Sequence, residues 1–72
     1  MTNSEELRAI IAKKGMKYKH IAKYLGITPF SLAKKIDNIT YFNSVEIAKL
    51  CELLEIKSLK QKERIFFAIE DD

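Results

Sequence analysis

The chain has 72 residues, 47% apolar and 32% charged, which suits one small globular domain and excludes a disordered one. Its 13 Lys and Arg against 10 Asp and Glu leave a net charge of +3, and no apolar run approaches the ~18 residues that a membrane span requires. A chain this short buries only about 60% of its unfolded surface, leaving little room for a deep catalytic cavity, and its single cysteine, Cys51, excludes a disulfide scaffold.

Two Gly and one Pro are too few turn residues for an all-β fold, and the periodicity along the chain is helical. The first helix is expected to start with Ser4 as N-cap. Glu5 and Glu6 follow in the first turn, where the helix dipole favours anions. Leu7, Ile10 and Ile11 form its apolar stripe, Lys13 and Lys14 close its last turn, and Gly15 supplies a left-handed end. A second helix spans Tyr18–Leu25 with Ile21, Ala22 and Leu25 on one face, and Gly26 ends it. The third has the clearest start, with Thr28 as N-cap and Pro29 at the first helical position, where its missing N–H costs nothing. Leu32 and Ile36 are its buried side, and Asn38 to Phe42 form a polar and aromatic connection. Asn43 or Ser44 then caps a fourth helix, Glu46 completes a capping-box pattern with Asn43, and Ile47, Leu50, Cys51 and Leu54 make the stripe. Ser58 and Gln61 repeat the capping pattern and open a fifth helix carrying Ile65, Phe66 and Ile69. The acidic end, Glu70, Asp71 and Asp72, is expected to fray. The expectation is therefore one all-α domain over residues 1–72. The polar, acidic start shows no signal-peptide pattern, so the expected location is the cytoplasm.

Charge is unevenly spread. Residues 1–36 balance at +6 and residues 37–72 at −3, with no acidic residue from Leu7 through Ile36. Such an asymmetry attracts polyanions over about 8–10 Å at ordinary salt, although a charge excess alone is equally a solvated face. The placement of the lysines decides between these. Two short helices are joined by Gly26-Ile27-Thr28. A close crossing needs a small residue, which Ala22 provides, and the sharp turn needs positive φ, which Gly26 tolerates. Ile27 plugs the turn from inside, and Thr28 restarts the helix. With Ile21, Leu25 and Leu32, these residues meet the demands of a helix-turn-helix.

The segment Tyr18-Lys-His-Ile-Ala-Lys-Tyr-Leu-Gly-Ile-Thr-Pro-Phe-Ser-Leu-Ala-Lys-Lys-Ile-Asp-Asn resembles the small Cro/repressor-type helix-turn-helix proteins of temperate phages. The order of five helices extends the likeness over residues 4–69 and implies a lambda-repressor-like domain. The chain length and the Lys-Gln-Lys-Glu-Arg-Ile-Phe-Phe run are similar to the Cro-like modulators of repression in lactococcal phage switches. The resemblance implies that the third helix is the recognition helix, with Pro29, Phe30, Ser31 and Lys34 reaching base edges in the major groove. Tyr18 and Lys19 would hold phosphate, and Asn38, Thr40 and Tyr41 would touch backbone. Lys17, Thr28 and Lys35 complete the candidate interface. The implied partners are double-stranded operator DNA, a phage repressor and a second copy of the chain, in a bacterial host cell.

The chain departs from this family in two places. Tyr18 stands where relatives commonly carry Gln, so the amide contacts are lost, although a hydroxyl remains for phosphate. Pro29-Phe30 replaces the usual polar or Arg tip; Pro has no donor, and Phe can touch a thymine methyl but reads no donor/acceptor pattern. Lys34 remains as a guanine reader, and an exposed Phe30 on a basic rim is also a protein-binding anchor.

Plainer readings stand beside these. Phe30 folds back on the core, or Lys34 and Lys35 are solvated tails. Lys35 occupies a place that is often apolar in the family, which leaves the packing to Ile36. His20 lies between lysines with no carboxylate or second His nearby, which fits neither a metal site nor acid–base work. Cys51 reads as a small core hydrophobe and Tyr24 as a half-buried flank. Phe66 and Phe67 diverge by about 100° on a helix, so one enters the core and the other is left to pack on a second chain. No phosphate loop or catalytic triad is evident, and neither enzyme activity nor a cofactor is expected. Two function classes remain: a transcriptional regulator that binds operator DNA, alone or with a repressor, and a protein-binding modulator (antirepressor) that docks on a partner repressor with little DNA binding of its own.

Overall fold

The computed structural model describes residues 1–68, which form five helices: α1 (Ser4–Lys14), α2 (Tyr18–Leu25), α3 (Pro29–Ile36), α4 (Ser44–Leu53) and α5 (Leu59–Phe66). No strand occurs among the described residues, and the fold is the expected all-α helix-turn-helix class. Ile69 and the acidic end lie outside the described residues, and α5 closes at Phe66.

Most helix starts follow the residues singled out above. Thr28 Oγ1 accepts from the Ser31 N–H at 3.1 Å, and Ser58 Oγ from the Gln61 N–H at 3.3 Å. Asn43 rather than Ser44 caps α4 in a complete box: its Oδ1 accepts from Glu46 N–H at 2.8 Å, and its own N–H donates to Glu46 Oε1 at 2.9 Å. At α1 the expectation is one residue late. Asn3 is the cap, with Oδ1 accepting from Glu6 N–H at 3.1 Å, because the Ser4 hydroxyl is spent elsewhere, donating to the Ile36 carbonyl at the end of α3.

Four helices end alike. After α1, α2, α3 and α4 the chain turns through a left-handed residue: Gly15 (φ 68°), Gly26 (φ 77°), Asn38 (φ 63°) and Glu55 (φ 58°). The amide of the next residue then reaches back to the last turn: Met16 to Ile11, Ile27 to Ala22, Ile39 to Lys34 and Ile56 to Cys51. This Schellman arrangement satisfies carbonyls that would otherwise be orphaned and folds an apolar side chain back under the helix end. Ile56 is buried in this way, and Met16 and Ile27 pack on the core. Ile39 does not follow, remaining 66% exposed.

The core gathers one apolar face from each helix. Leu7 and Ile11 come from α1, Ile21, Ala22 and Leu25 from α2, and Leu32 and Ile36 from α3. Leu50 and Cys51 of α4, Leu54 and Ile56 just beyond it, and Ile65 and Phe66 of α5 close the cluster. Helix α2 packs on α3 and α4, and α1 bridges α3 and α5. Phe66 enters the core edge-to-face with Phe42 at 6.0 Å between centroids, while Phe67 is left exposed, the split expected of adjacent helical positions. Burial pushes the Cys51 thiol up, against the pull of Lys62, as befits a core residue. The N-terminal segment ties the two ends of the molecule. Asn3 N–H donates to Ile65 O, Ala68 N–H donates to Met1 O, and Thr2 pairs through both backbone groups with the Asn38 amide.

Candidate nucleic-acid interface

The turn between α2 and α3 sets the geometry. Gly26 takes its left-handed conformation in open space: a Cβ there would meet nothing within 4 Å, so glycine is needed for its backbone freedom and not for room. Ile27 then enters the core edge, and Thr28 restarts the chain with Pro29 at the first helical position. Ala22, fully buried, lies on the α2 face that packs against α3 and α4. Leu32 and Ile36 fasten α3 to the core, which turns its opposite face outward.

That outward face carries Phe30, Lys34 and the tip residue Pro29. Phe30 is 75% exposed, so the reading in which it folds onto the core is overturned. The Lys34 ammonium lies over its ring, 5.4 Å from the centroid, one helical turn along the same face. Ser31 is half-buried beside them. At the start of α2, Lys17 makes no side-chain cap bond, which leaves the first amide groups of α2 open to an incoming anion. Lys17 and Lys19 are exposed, as is Lys23 one turn further along, while Tyr18 is half-buried against the core. Thr40 and Tyr41 are exposed in the connection after α3.

Two expected interface residues are engaged inside the molecule instead. Lys35 keeps only 15% of its side chain exposed. Its ammonium donates to Glu46 Oε1 at 2.8 Å and to the Tyr41 carbonyl at 3.0 Å, so it clamps α3 to α4 and is neither a solvated tail nor an outward cation. The cause is the placement of Glu46, whose carboxylate is held at α4's first turn by the capping box, within reach of Lys35. Asn38 is likewise turned inward. It holds the left-handed turn after α3, its Oδ1 accepts from Thr2 N–H, and its Nδ2 donates to Thr2 O (both 2.8 Å) and to Ser4 Oγ at 3.2 Å.

Burial alone would raise the Glu46 carboxyl, but the Lys35 ammonium and the Asn43 N–H outweigh it and hold the group below its ordinary value. Sequence reasoning missed this buried acid because its partner lies 11 residues away. It also missed the bond from the Tyr24 hydroxyl to Glu52 at 2.7 Å, which pushes the phenol up and ties α2 to α4. Three further acids are paired: Glu6 with Arg64 in a two-pronged contact at 2.6–3.0 Å, Asp37 with Arg8, and Glu55 with Lys14. These exposed pairs contribute little stability, but they offset acidic charge that would otherwise repel a polyanion. Among the described residues no three metal-ligating side chains come together, and no helix is long and apolar enough to cross a membrane.

The outward face therefore presents a ring and a lysine, and with the open start of α2 it belongs to a stretch, Leu7 to Ile36, whose sequence holds no acid. No curated protein and no solved structure matches the chain. The family model described as the Cro/C1-type helix-turn-helix DNA-binding domain matches residues 6–59, which run from the first turn of α1 through the start of α5. With three quarters of its length under that model, the chain belongs to the Cro/C1-type helix-turn-helix DNA-binding domains.

Proposed function

We propose that this DNA-binding domain is the regulator of a phage-type lysis–lysogeny switch, and that it holds operator DNA with α3 in the major groove. The observation that supports this most is the outward face of α3, which leaves Phe30 75% exposed with the half-buried Lys34 over its ring, together with the uncapped, lysine-bearing start of α2. In this reading the amides at the start of α2 and the side chains of Lys17, Lys19 and Lys23 grip phosphate, and Pro29, Phe30, Ser31 and Lys34 face the bases. Thr28 shapes the tip through its cap, and Thr40 and Tyr41 follow the backbone. The phage setting rests on the likeness of the closing Lys-Gln-Lys-Glu-Arg-Ile-Phe-Phe run to lactococcal modulators of repression. A divergently transcribed repressor gene next door would support that setting.

Duplex titration at two salt concentrations tests the reading. Three phosphate contacts from α2 give a log–log salt slope of about −3, at about −0.9 per contact. Lys19→Glu, at an exposed position, removes binding and leaves the fold. Absence of duplex binding at low salt refutes the proposal.

A second reading is favoured by the same Phe30, whose 75% exposure suits a pocket on a partner repressor. In that case the chain is an antirepressor, co-elutes with the repressor in the absence of DNA, and loses the complex on Phe30→Ala. Self-association is proposed at Phe67, which is 59% exposed; Phe67→Asp returns a dimer to monomer in sedimentation if it is right.

A further inference from the structure

We propose that Phe30 and Lys34 act as one base-reading unit, selecting a thymine with a guanine one or two base steps away. The inference rests on the DNA-binding reading and names what that reading leaves open, the operator feature. The tip of α3 has few means of reading a base. Pro29 has no donor, and the Thr28 hydroxyl is engaged in its cap. The half-buried Ser31 faces the bases with only a short hydroxyl, whereas the equally half-buried Lys34 has a long stem that carries its ammonium out over the Phe30 ring. What protrudes is the Phe30 ring. An apolar ring in the major groove makes no hydrogen bond with a base edge, and the one apolar group displayed there is the thymine methyl. One turn along, the Lys34 ammonium rests over that ring at 5.4 Å. A lysine side chain is flexible, and the ring face restrains this one beside the tip. Its charge seeks the strongest acceptor pair in the groove, which is guanine O6 and N7. With about 3.4 Å between base steps, a separation of 5.4 Å places the two contacts one or two steps apart. The absence of acid from Leu7 to Ile36 favours a polyanion over a basic or mixed protein surface opposite this pair.

The test enriches duplexes with a randomised core on the immobilised full chain. In the winning duplex each thymine is then replaced by deoxyuridine, which lacks the methyl, and each guanine by 7-deazaguanine, which lacks N7. One deoxyuridine should cost roughly three- to fivefold in affinity, the worth of one buried methyl. One 7-deazaguanine within two steps of it should cost about fivefold or more. Phe30→Ala should bind the thymine and deoxyuridine forms equally, and Lys34→Met the guanine and 7-deazaguanine forms equally, each with the wild-type melting curve. The proposal is overturned if the winning duplex binds yet tolerates every replacement, if either variant still discriminates, or if the two sensitive positions lie further apart. Failure of any duplex to enrich or bind at low salt removes the DNA-binding reading itself and this inference with it. A Phe30-dependent grip on a repressor in that case assigns the ring to a protein surface.

Discussion

Adjacent lysines on α3 should respond oppositely to one substitution. Lys35→Met keeps the aliphatic stem but removes the bonds to Glu46 at 2.8 Å and to the Tyr41 carbonyl at 3.0 Å, leaving a carboxylate of 9% side-chain exposure with its capping amide alone. A hydrogen bond to a charged group contributes about 1.5–3 kcal/mol, and a 72-residue domain has only about 4–10 kcal/mol in total. At about 4–8 °C per kcal/mol the melting temperature should fall by roughly 6–24 °C. Lys34→Met loses only a contact with an exposed ring and should stay within about 0.5 kcal/mol of wild type. Duplex affinity reverses the order: measured at a temperature where both variants are folded, Lys34→Met weakens binding about fivefold or more, and Lys35→Met leaves it unchanged. Glu46→Gln, which retains an oxygen for the cap, closes a double-mutant cycle with a coupling of about 1 kcal/mol or more. Calorimetry and fluorescence titration suffice. A Lys35→Met protein that melts with wild type yet binds DNA poorly would refute the inward assignment.

Three further outcomes follow from the same contacts. Because the Glu46 carboxyl is held below its ordinary 4.5, its stabilising contribution is complete above that value and is lost as the pH falls through the lower folded one. The gap in urea midpoint between wild type and Glu46→Gln, measured at pH 7 and again near pH 3, should therefore narrow in acid; a constant gap counts against the pairing. Asn38→Ala loses the Thr2 pairing and keeps a Cβ at φ 63° without the polar group that lets asparagine hold that conformation, whereas Asn38→Gly loses the pairing but has no Cβ to strain, so Ala should lie about 1–2 kcal/mol below Gly. Chemical denaturation should rank wild type above Gly above Ala, and equal Gly and Ala midpoints would remove the strain argument. Gly26→Ala meets no neighbour within 4 Å, so its cost should be the conformational 1–2 kcal/mol or so, with duplex affinity retained in the cold; a larger loss would mean that the turn is tighter than its geometry shows.

The parts of this fold that were legible in the sequence are those written in neighbouring residues. Thr28-Pro29, the Asn43–Glu46 box and the two glycines each act within four positions, and each appears where expected. Asn38 and Glu55 end helices by the same left-handed turn as Gly15 and Gly26, but only Asn38 carried a signal, since asparagine is the next most common residue there. Long-range contacts were not legible. Ser4 looked like a cap because it is a good one, and nothing local reveals that the Ile36 carbonyl competes for its hydroxyl. Lys35 looked like its neighbour Lys34 because charge patterning does not distinguish two lysines about 100° apart on a helix; the buried Glu46 does.

These misplaced residues share a consequence for the interface. Helix α3 has only eight residues, too short to be stable alone, so its pose depends entirely on what holds it. Leu32 and Ile36 fix its inner face, Lys35 fixes its side to α4, and Ser4 and Asn38 fix its C-terminal end to the N-terminal segment. Each anchor spends a polar group that would otherwise be available to a ligand. Phe30 is exposed, and the half-buried Lys34 keeps its ammonium over that ring rather than in an ion pair among the described residues. The proposed recognition element would work by presenting a few side chains in a fixed geometry, and the fixing is done by residues that resemble contacts in the sequence. The division predicts that changes at Lys35, Asn38 and Ser4 alter binding only in proportion to the unfolded fraction they create, whereas changes at Phe30 and Lys34 alter it in the fully folded protein.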